Sequence, residues 1–274
     1  MYPILFQFTV FGHHMTVHSY GVLLMIAFLA SVAWAYRTTI RHAGEPGAID
    51  SNDLLDESVW MILAGIFGAR ILFVALDWSE YKDHPARWLQ IWEGGISFHG
   101  ALFGGLIALI VYCSIKKISV LKFADLVAPA VMVGYAIGRV GCFFNGCCYG
   151  GETNVPWAVR FNDEGHWTNP SHPTQIYSAI LSVFFIFALQ RMYERRAFDG
   201  QVFCWYMILA AAERFLMEIW RAGVTSTGGA FGLTDVQLLC IVLASGGIVG
   251  LVILKRRAKI TPTRGNTVLG VAQS

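Results

Sequence analysis

Residues 138–150 place an arginine, an asparagine and four glycines at the end of a long apolar run. A charge such as Arg139 is costly in lipid, and it persists mainly where it faces a polar cavity or a partner. Arginine suits phosphate, because its planar guanidinium donates in pairs and keeps its charge. This stretch therefore predicts a functional site that holds an anionic group.

A second group of charged residues lies on a later apolar run. Arg214 and Glu218 are four residues apart and Arg221 follows one turn later, so the three share one helix face. One interpretation is a buried ion pair that ties helices together. The other is an anion site in which Glu218 orients an arginine, and the additional arginines at the same depth favour this second interpretation.

Three further segments carry polar groups at the start of apolar runs. His99 lies between glycine-containing stretches and could accept a proton near neutral pH, although a lone interfacial histidine is more often structural. Tyr20 belongs either to an aromatic belt or to a head-group site. His172 and Gln175 could line the same site, but their spacing alone does not show this, and Ser171 beside them suits a helix cap.

Cys142, Cys147 and Cys148 raise the question of a metal or a disulfide. No Cys-x-x-Cys pair is present, and the neighbouring histidines lack a recognised ligand spacing. Apolar packing is therefore favoured over a disulfide on the oxidising face and over a metal site. We expect no metal and no cofactor.

The composition indicates a membrane protein that crosses the bilayer several times. Of the 274 residues, 55% are hydrophobic and 14% are charged, whereas a soluble domain carries about 25% charged residues. The net charge of +2 is too small to indicate a nucleic-acid partner. The first 17 residues contain no lysine or arginine, so they do not resemble a cleavable signal peptide.

Seven apolar runs are long enough to cross about 30 Å of hydrocarbon. They lie at about 18–37, 57–76, 95–115, 122–143, 173–193, 201–220 and 233–254. We therefore expect an all-α integral membrane protein with a single seven-helix membrane domain over residues 1–254. Residues 144–172 are expected to form a small cap outside the membrane, and residues 255–274 a basic tail.

The distribution of basic residues predicts the orientation. One set of loops carries 13 lysines and arginines, and the alternate set carries 4. Because basic loops stay in the cytoplasm, the C-terminus is expected inside and the N-terminus outside. This orientation places polar residues from six spans in the outer half of the membrane.

Together these segments resemble the prolipoprotein diacylglyceryl transferase family of bacterial inner membranes. The family signature is approximately G-R-x-G-N-F-x-N-x-E-x-x-G, and residues 138–150 read GRVGCFFNGCCYG. Further matches occur in family order at His18-x-Tyr20-Gly21, Gly68-x-Arg70, Trp92–Gly100, His172–Tyr177, Arg214–Arg221 and Leu233–Gln237. Each block alone would be weak, whereas the ordered set is specific.

Three positions depart from the family pattern. Cys142 replaces the asparagine of the signature, Cys147 replaces its glutamate, and Ser178 replaces the glutamate after the HPxQxY block. Asn145, Glu152 or a cysteine thiol could supply the missing polar groups. The chain is thus interpreted as a divergent branch of the family.

The resemblance implies transfer of the diacylglyceryl group of phosphatidylglycerol to the lipobox cysteine of a preprolipoprotein. A thioether forms and glycerol phosphate leaves. The implied partners are the donor lipid, the preprolipoprotein signal peptide and membrane lipids, with no nucleic acid. The implied location is the bacterial inner membrane, with the cap in the periplasm, the active site towards the periplasmic leaflet and the tail in the cytoplasm.

The predicted roles follow from the residues and the resemblance together. Arg139 and Arg214 would hold the phosphate, Glu218 would position Arg214, and His99 would deprotonate the acceptor thiol. The predicted catalytic residues are His99, Arg139, Arg214 and Tyr20. The predicted substrate-binding residues are Glu218, Asn145, Arg70, Gly94, Gly95, Ser97, Gly100, Gly141, Gly150, His172, Gln175 and Arg221.

Other functions fit part of the pattern. A related membrane lipid transferase with a different acceptor ranks second. A transporter of an anionic lipid or solute would normally carry a polar path to the cytoplasm, but the inner halves of these runs are almost entirely apolar. A non-catalytic lipid-binding protein would bind the head group without turnover.

Overall fold

Long helices dominate the computed structural model. The structure describes residues 4–10, 13–45, 47–83, 85–90, 94–163, 166–221 and 232–260. The long helices are α1 Ser19–Arg41, α2 Ser51–Leu76, α4 Phe98–Lys116, α5 Val120–Asn145, α6 Thr174–Glu194, α7 Gln201–Arg221 and α8 Asp235–Ile260. A short helix α3, Trp78–Tyr81, and a 3₁₀ turn, Pro85–Leu89, follow α2. Each predicted apolar run thus coincides with a long helix.

Six of the described helices are long and apolar enough to cross a membrane. They are α1, α2, α4, α5, α6 and α8, and they agree with the membrane protein expected from the composition. The remaining long helix, α7, carries Glu213, Arg214, Glu218 and Arg221, so its charge content sets it apart.

Two small antiparallel sheets accompany the helices. Strands β1, Ile4–Val10, and β2, His13–His18, form a hairpin that leads directly into α1. Strands β3, Asn162–Asp163, and β4, His166–Trp167, pair between α5 and α6. The second pair lies in the segment 144–172 that was expected to form the cap, whereas the N-terminal hairpin was not predicted.

Local sequence explains where several helices begin and end. The Asp50 carboxylate accepts from the backbone N–H of Asn52 at 2.8 Å and caps α2, and Ser97 caps α4 by accepting from Gly100. Helix α5 ends at Asn145, and Gly146 follows with a φ of +79°, a conformation that glycine adopts at little cost. The Ser97 cap and the Gly146 turn fix the helix ends next to the predicted site residues His99 and Asn145.

The chain divides into two compact units, which are described separately. One comprises residues 32–126, and the other comprises residues 1–31 with 127–274. Helices α1 and α5 carry residues of both units. In residues 32–126, α2 and α4 pack through small residues, because a Cβ added at Gly100 or Gly104 would overlap the backbone of Gly68 or Ala64.

The other unit is built around α7. Helix α7 packs against α8 and α6. A Cβ added at Gly247 of α8 would lie only 2.9 Å from the carbonyl oxygen of Cys204 of α7, so the two backbones approach closely. Helix α7 buries Glu213 and Glu218, which are 2% and 0% exposed.

Candidate active site

Arg139 heads a hydrogen-bonded chain that joins three helices. Its Nη2 donates to the Tyr135 hydroxyl at 2.6 Å, and that hydroxyl donates to Glu213 Oε2 at 2.8 Å. Ser178 of α6 donates to the other carboxylate oxygen of Glu213. The Arg139 guanidinium also lies 4.7 Å from the centre of the Tyr135 ring. Arg139 is therefore held in place before any substrate binds.

Arg139 was predicted from the sequence as a site residue, whereas Tyr135 and Glu213 were not. Tyr135 precedes Arg139 by four residues, so the helical spacing was visible in the sequence. Glu213 was visible as a carboxylate inside an apolar run. What the sequence could not supply was the contact between helices that brings the two together.

Arg214 and Glu218 form the ion pair that their spacing predicted. Arg214 Nη1 lies 2.7 Å from Glu218 Oε2, and the Glu218 side chain is fully buried. This geometry is that of a carboxylate that orients an arginine. It also agrees with a purely structural pair, since both interpretations require the same contact.

Two guanidinium Nε atoms in this unit have donor capacity to spare. Arg139 Nε and Arg221 Nε are buried, and neither has a hydrogen-bond partner among the residues that the structure describes. A buried donor without a partner is costly. Both nitrogens are suited to an anionic ligand, because a phosphate oxygen would supply the missing acceptor.

Tyr20 lies beside the same region. A Cβ added at Gly141 would lie 3.3 Å from Tyr20 Cδ2, so the ring packs on the α5 backbone at Gly141. Tyr20 interacts electrostatically with Arg139 and with the three cysteines of the signature. Tyr20 thus packs on Gly141 within electrostatic range of Arg139, and its contact with substrate stays a prediction.

Gly150 is required where the loop after α5 meets the end of α7. Its N–H donates to the His172 carbonyl at 2.9 Å, and the next N–H, of Gly151, donates to the Trp220 carbonyl at 2.7 Å. A Cβ on Gly150 would lie 2.7 Å from the Trp220 oxygen and 2.8 Å from Thr174. Gly150 therefore permits the close approach that ties the loop to Trp220, the neighbour of Arg221.

The first turn of α6 holds the cysteine loop. Gln175 Nε2 donates to the Cys147 carbonyl at 2.7 Å, and Thr174 Oγ1 donates to the Cys148 carbonyl at 3.0 Å. The buried Gln175 Oε1 has no hydrogen-bond partner within the described part of the chain. The amide nitrogen of Gln175 thus positions the loop, and a direct contact of Gln175 with substrate stays a prediction.

His172 packs against aromatic residues. Its Nδ1 lies 3.3 Å from the Tyr177 hydroxyl, which also accepts from Trp157 Nε1 at 2.6 Å. Asn145, the last residue of α5, is exposed. A direct contact of His172 or Asn145 with substrate stays a prediction.

The three cysteines of the signature lie close together. The sequence had favoured apolar packing for them and did not predict this cluster. All are free, and their Sγ atoms lie within 4.8 Å of one another. Hydrogen bonds from Cys142 and then Cys147 lower the pKa of the Cys148 thiol well below its usual range, and Arg221 and Arg139 act in the same direction. Within the cluster, these contacts favour the thiolate at Cys148.

In residues 32–126, Arg70 holds the loop that precedes α4. Its guanidinium donates to four backbone carbonyls, those of Arg87 at 2.6 Å, Trp88 at 2.9 Å, and Gly94 and Gly95 at 2.8 Å each. Gly94 and Gly95 have φ angles of +86° and +74°, which favour glycine. Arg70 therefore positions this loop, a role that its spacing did not reveal.

The same loop ends at the first turn of α4. The Ser97 N–H donates to the Ala69 carbonyl at 3.0 Å, and Gly100 is buried against Gly68. His99 lies between them with an exposed side chain, its ring 5.9 Å from that of Phe98. Ser97 and Gly100 thus fix the backbone on either side of His99.

Comparison with known proteins identifies the family. The prolipoprotein diacylglyceryl transferase profile matches residues 3–253. Three relatives are named phosphatidylglycerol–prolipoprotein diacylglyceryl transferase. That of Trichormus variabilis is 33% identical over 88% of each chain. That of Geobacter sulfurreducens is 33% identical over 91% of this chain and 95% of its own. That of Nitratidesulfovibrio vulgaris is 35% identical over 84% and 86%.

The match therefore includes the Arg139 network, the Arg214–Glu218 pair and the loop held by Arg70. The chain belongs to the prolipoprotein diacylglyceryl transferase family.

Proposed function

We propose that this protein transfers the diacylglyceryl group of phosphatidylglycerol to the lipobox cysteine of preprolipoproteins. The reaction takes place in the bacterial inner membrane, with the active site towards the periplasmic leaflet. The proposal rests on the state of Arg139. Its guanidinium is held by Tyr135, and its buried Nε–H has no hydrogen-bond partner among the described residues. The family supplies the reaction, and Arg139 supplies the means of holding its phosphate.

The chemistry requires charge stabilisation at one bond. The acceptor sulfur attacks the terminal glycerol carbon of the diacylglyceryl group and forms the C–S bond. The C–O bond to the phosphate breaks, and its electron pair leaves with glycerol phosphate. Guanidinium groups placed in advance stabilise the growing negative charge on that oxygen. Arg139 and Arg214 are assigned this role, with Arg221 as an additional donor.

The acceptor must lose its proton before or during the attack. A thiol with a pKa of about 8.5 is only slightly ionised at neutral pH, so a base is needed. His99 is the proposed base, because it is exposed at the start of α4 on a backbone held by Ser97 and Gly100. Tyr20 and Asn145 are proposed to orient the head group.

The proposal includes seven crossings, with the N-terminus outside and the C-terminus inside. Helix α7 is the crossing that composition alone does not support. Three of its four charged side chains nevertheless have partners, since Glu213 accepts hydrogen bonds from Tyr135 and Ser178, and Glu218 pairs with Arg214. Pairing lowers the cost of carrying such groups through lipid, which supports α7 as a spanning helix.

The arginine assignment is tested by comparing two substitutions. In a transfer assay with phosphatidylglycerol vesicles and a lipobox peptide, we expect Arg139→Ala to lower the rate at least about 100-fold. Arg191→Ala is the matched control, because Arg191 is exposed and pairs with the exposed end of the same helix at Glu194, and it should retain the parental rate. Near-normal transfer by a folded Arg139→Ala protein would overturn the assignment.

A further inference from the structure

The cysteine loop has the geometry of a metal site. Cys142 lies in the last turn of α5, and Cys147 and Cys148 follow the helix end. Their three Sγ atoms lie within 4.8 Å of one another, and all three side chains are half-buried. Zinc–sulfur bonds of about 2.3 Å would place three thiolates about 3.8 to 4.0 Å apart. The observed cluster therefore needs little movement to surround one ion.

The backbone around the three sulfurs is held from two sides. The Cys147 N–H donates to the Cys142 carbonyl at 3.1 Å, which closes the turn between them. Gln175 and Thr174 bind the carbonyls of Cys147 and Cys148. Cys148 has a φ of +65°, an uncommon value for a residue with a side chain. The loop thus keeps a conformation that directs all three thiols to one place.

The charges around the cluster suit a bound cation with its thiolates. Three thiolates and one divalent ion carry a net charge of −1. Arg139 and Arg221 both interact electrostatically with Cys148, so that negative charge would lie within electrostatic range of two guanidinium groups. Thiolate ligands select soft ions such as Zn²⁺ over Mg²⁺ or Ca²⁺. The arginines alone would repel a cation, so binding must depend on all three sulfurs.

We propose that Cys142, Cys147 and Cys148 bind one Zn²⁺ ion. Within the described part of the chain, these three form the only group of three or more histidine, cysteine or acidic side chains close enough to share one ion. The fourth coordination position would then be occupied by an exchangeable ligand, as in zinc sites that are open to solvent or substrate. Two of the three ligands stand where the family signature has asparagine and glutamate, so the site distinguishes this branch from that signature.

Spectroscopy on the purified full-length protein in detergent tests the site without reference to activity. The protein is reduced, stripped with a chelator and titrated with Co²⁺. We expect thiolate-to-cobalt charge-transfer bands and the visible bands of a tetrahedral ion, saturating at one equivalent. Zn²⁺ should abolish these bands by displacement. Absence of the bands from fully reduced protein would overturn the proposal.

Cysteine substitutions locate the ion. Cys142→Ser, Cys147→Ser and Cys148→Ser should each weaken Co²⁺ binding at least about 100-fold, more than loss of an outer-shell contact would. Cys204→Ser is the control, because Cys204 is a buried cysteine elsewhere in the same unit, and it should bind as the parent does. Equal loss in the control, or retention in the triple serine variant, would contradict the assignment.

A conservative exchange guards against loss of folding. Cys147→His replaces the thiolate by an imidazole nitrogen that also binds Zn²⁺ and Co²⁺, so Co²⁺ should still bind, with a weaker charge-transfer band because one thiolate is missing. A disulfide is the competing use of the same sulfurs. If reduced protein binds no Co²⁺ and the unreduced protein has lost two hydrogen masses that map to this loop, the cluster is a redox pair and the zinc proposal fails.

Discussion

Arg139 does not reach a carboxylate directly, because Tyr135 stands between it and Glu213. The tyrosine hydroxyl accepts a hydrogen bond from the arginine and donates one to the carboxylate, so both its acceptor and its donor are satisfied. This arrangement fixes Arg139 while leaving its charge less neutralised than a direct ion pair would. An arginine that must bind phosphate benefits from that difference.

Tyr135→Phe tests this relay. The substitution removes one hydroxyl and leaves two buried polar groups without that partner, at a cost of about 1 to 3 kcal/mol. We expect the transfer rate to fall about 10- to 100-fold if this cost falls on the transition state. Steady-state kinetics would show it mainly in kcat.

Tyr206→Phe is the matched control for the relay. The Tyr206 ring stacks on Phe203 of the same helix, with ring centres 6.3 Å apart, and loss of its hydroxyl should leave kcat unchanged. Equal losses in the two variants would show that the hydroxyl of Tyr135 has no special role.

Ser178 is a second residue whose role is set by Glu213. The family pattern has a glutamate at this position, and here the serine donates to the buried Glu213 carboxylate. Ser178→Glu would place two carboxylates side by side in a buried site, which is strongly unfavourable. We expect a lower thermal unfolding midpoint, measured in detergent.

The exchange variant Ser178→Glu with Glu213→Ser should recover much of that midpoint, since one carboxylate and one hydroxyl would again face each other. If the double variant is no more stable than Ser178→Glu alone, the two positions are not coupled.

Sequence alone predicted part of this chemistry. Arg139, Arg214 and Glu218 were predictable because a charge in an apolar run, or a pair at helical spacing, can be seen in one segment. The contacts of Arg70 were not, because its four acceptors lie 17 to 25 residues further along the chain. The return of this loop to Arg70 depends on the loop's conformation, which the spacing of residues along the sequence does not determine.

At the scale of elements, small residues set how closely α2 and α4 approach. Gly104→Ala would force a Cβ into the Ala64 carbonyl, a backbone atom that cannot move without shifting a helix. Overpacking of this kind costs about 1 to 3 kcal/mol. We expect a lower thermal unfolding midpoint for the detergent-solubilised protein.

Gly105→Ala is the adjacent control on the same helix. Its Cβ would meet the flexible side chain of Met61 at 3.2 Å, so a small shift of that side chain suffices. A comparable drop for both variants would mean that the close approach of the helices does not limit stability.

Helix positions were more predictable than helix ends. The apolar run at 122–143 corresponds to α5, and the helix extends only two residues beyond it at each end. Helix α2 begins at Ser51 rather than near residue 57, because Asp50 caps it and its first two turns are polar. Hydrophobicity identifies only the apolar part of a helix. It therefore does not detect a polar helical turn that lies outside that part.

At the scale of the whole molecule, the uneven distribution of basic residues predicts the orientation. The 13 basic residues in one set of loops against 4 in the other should keep the end of α8 in the cytoplasm. Green fluorescent protein fused after Lys255 should therefore fluoresce. Alkaline phosphatase fused after Trp167 should be active, because that enzyme needs the periplasm. The reverse pattern would invert the topology and contradict an outward-facing site.

The central claim is that the protein joins a lipid-derived carbon to a peptide sulfur. Its most direct test is mass spectrometry of a lipobox peptide after incubation with the purified protein and phosphatidylglycerol of defined acyl chains. The predicted result is a peptide heavier by one diacylglyceryl group, attached at the cysteine as a thioether, with equimolar glycerol phosphate released. An unmodified cysteine peptide, or equal modification of a peptide with serine in its place, would contradict the claim.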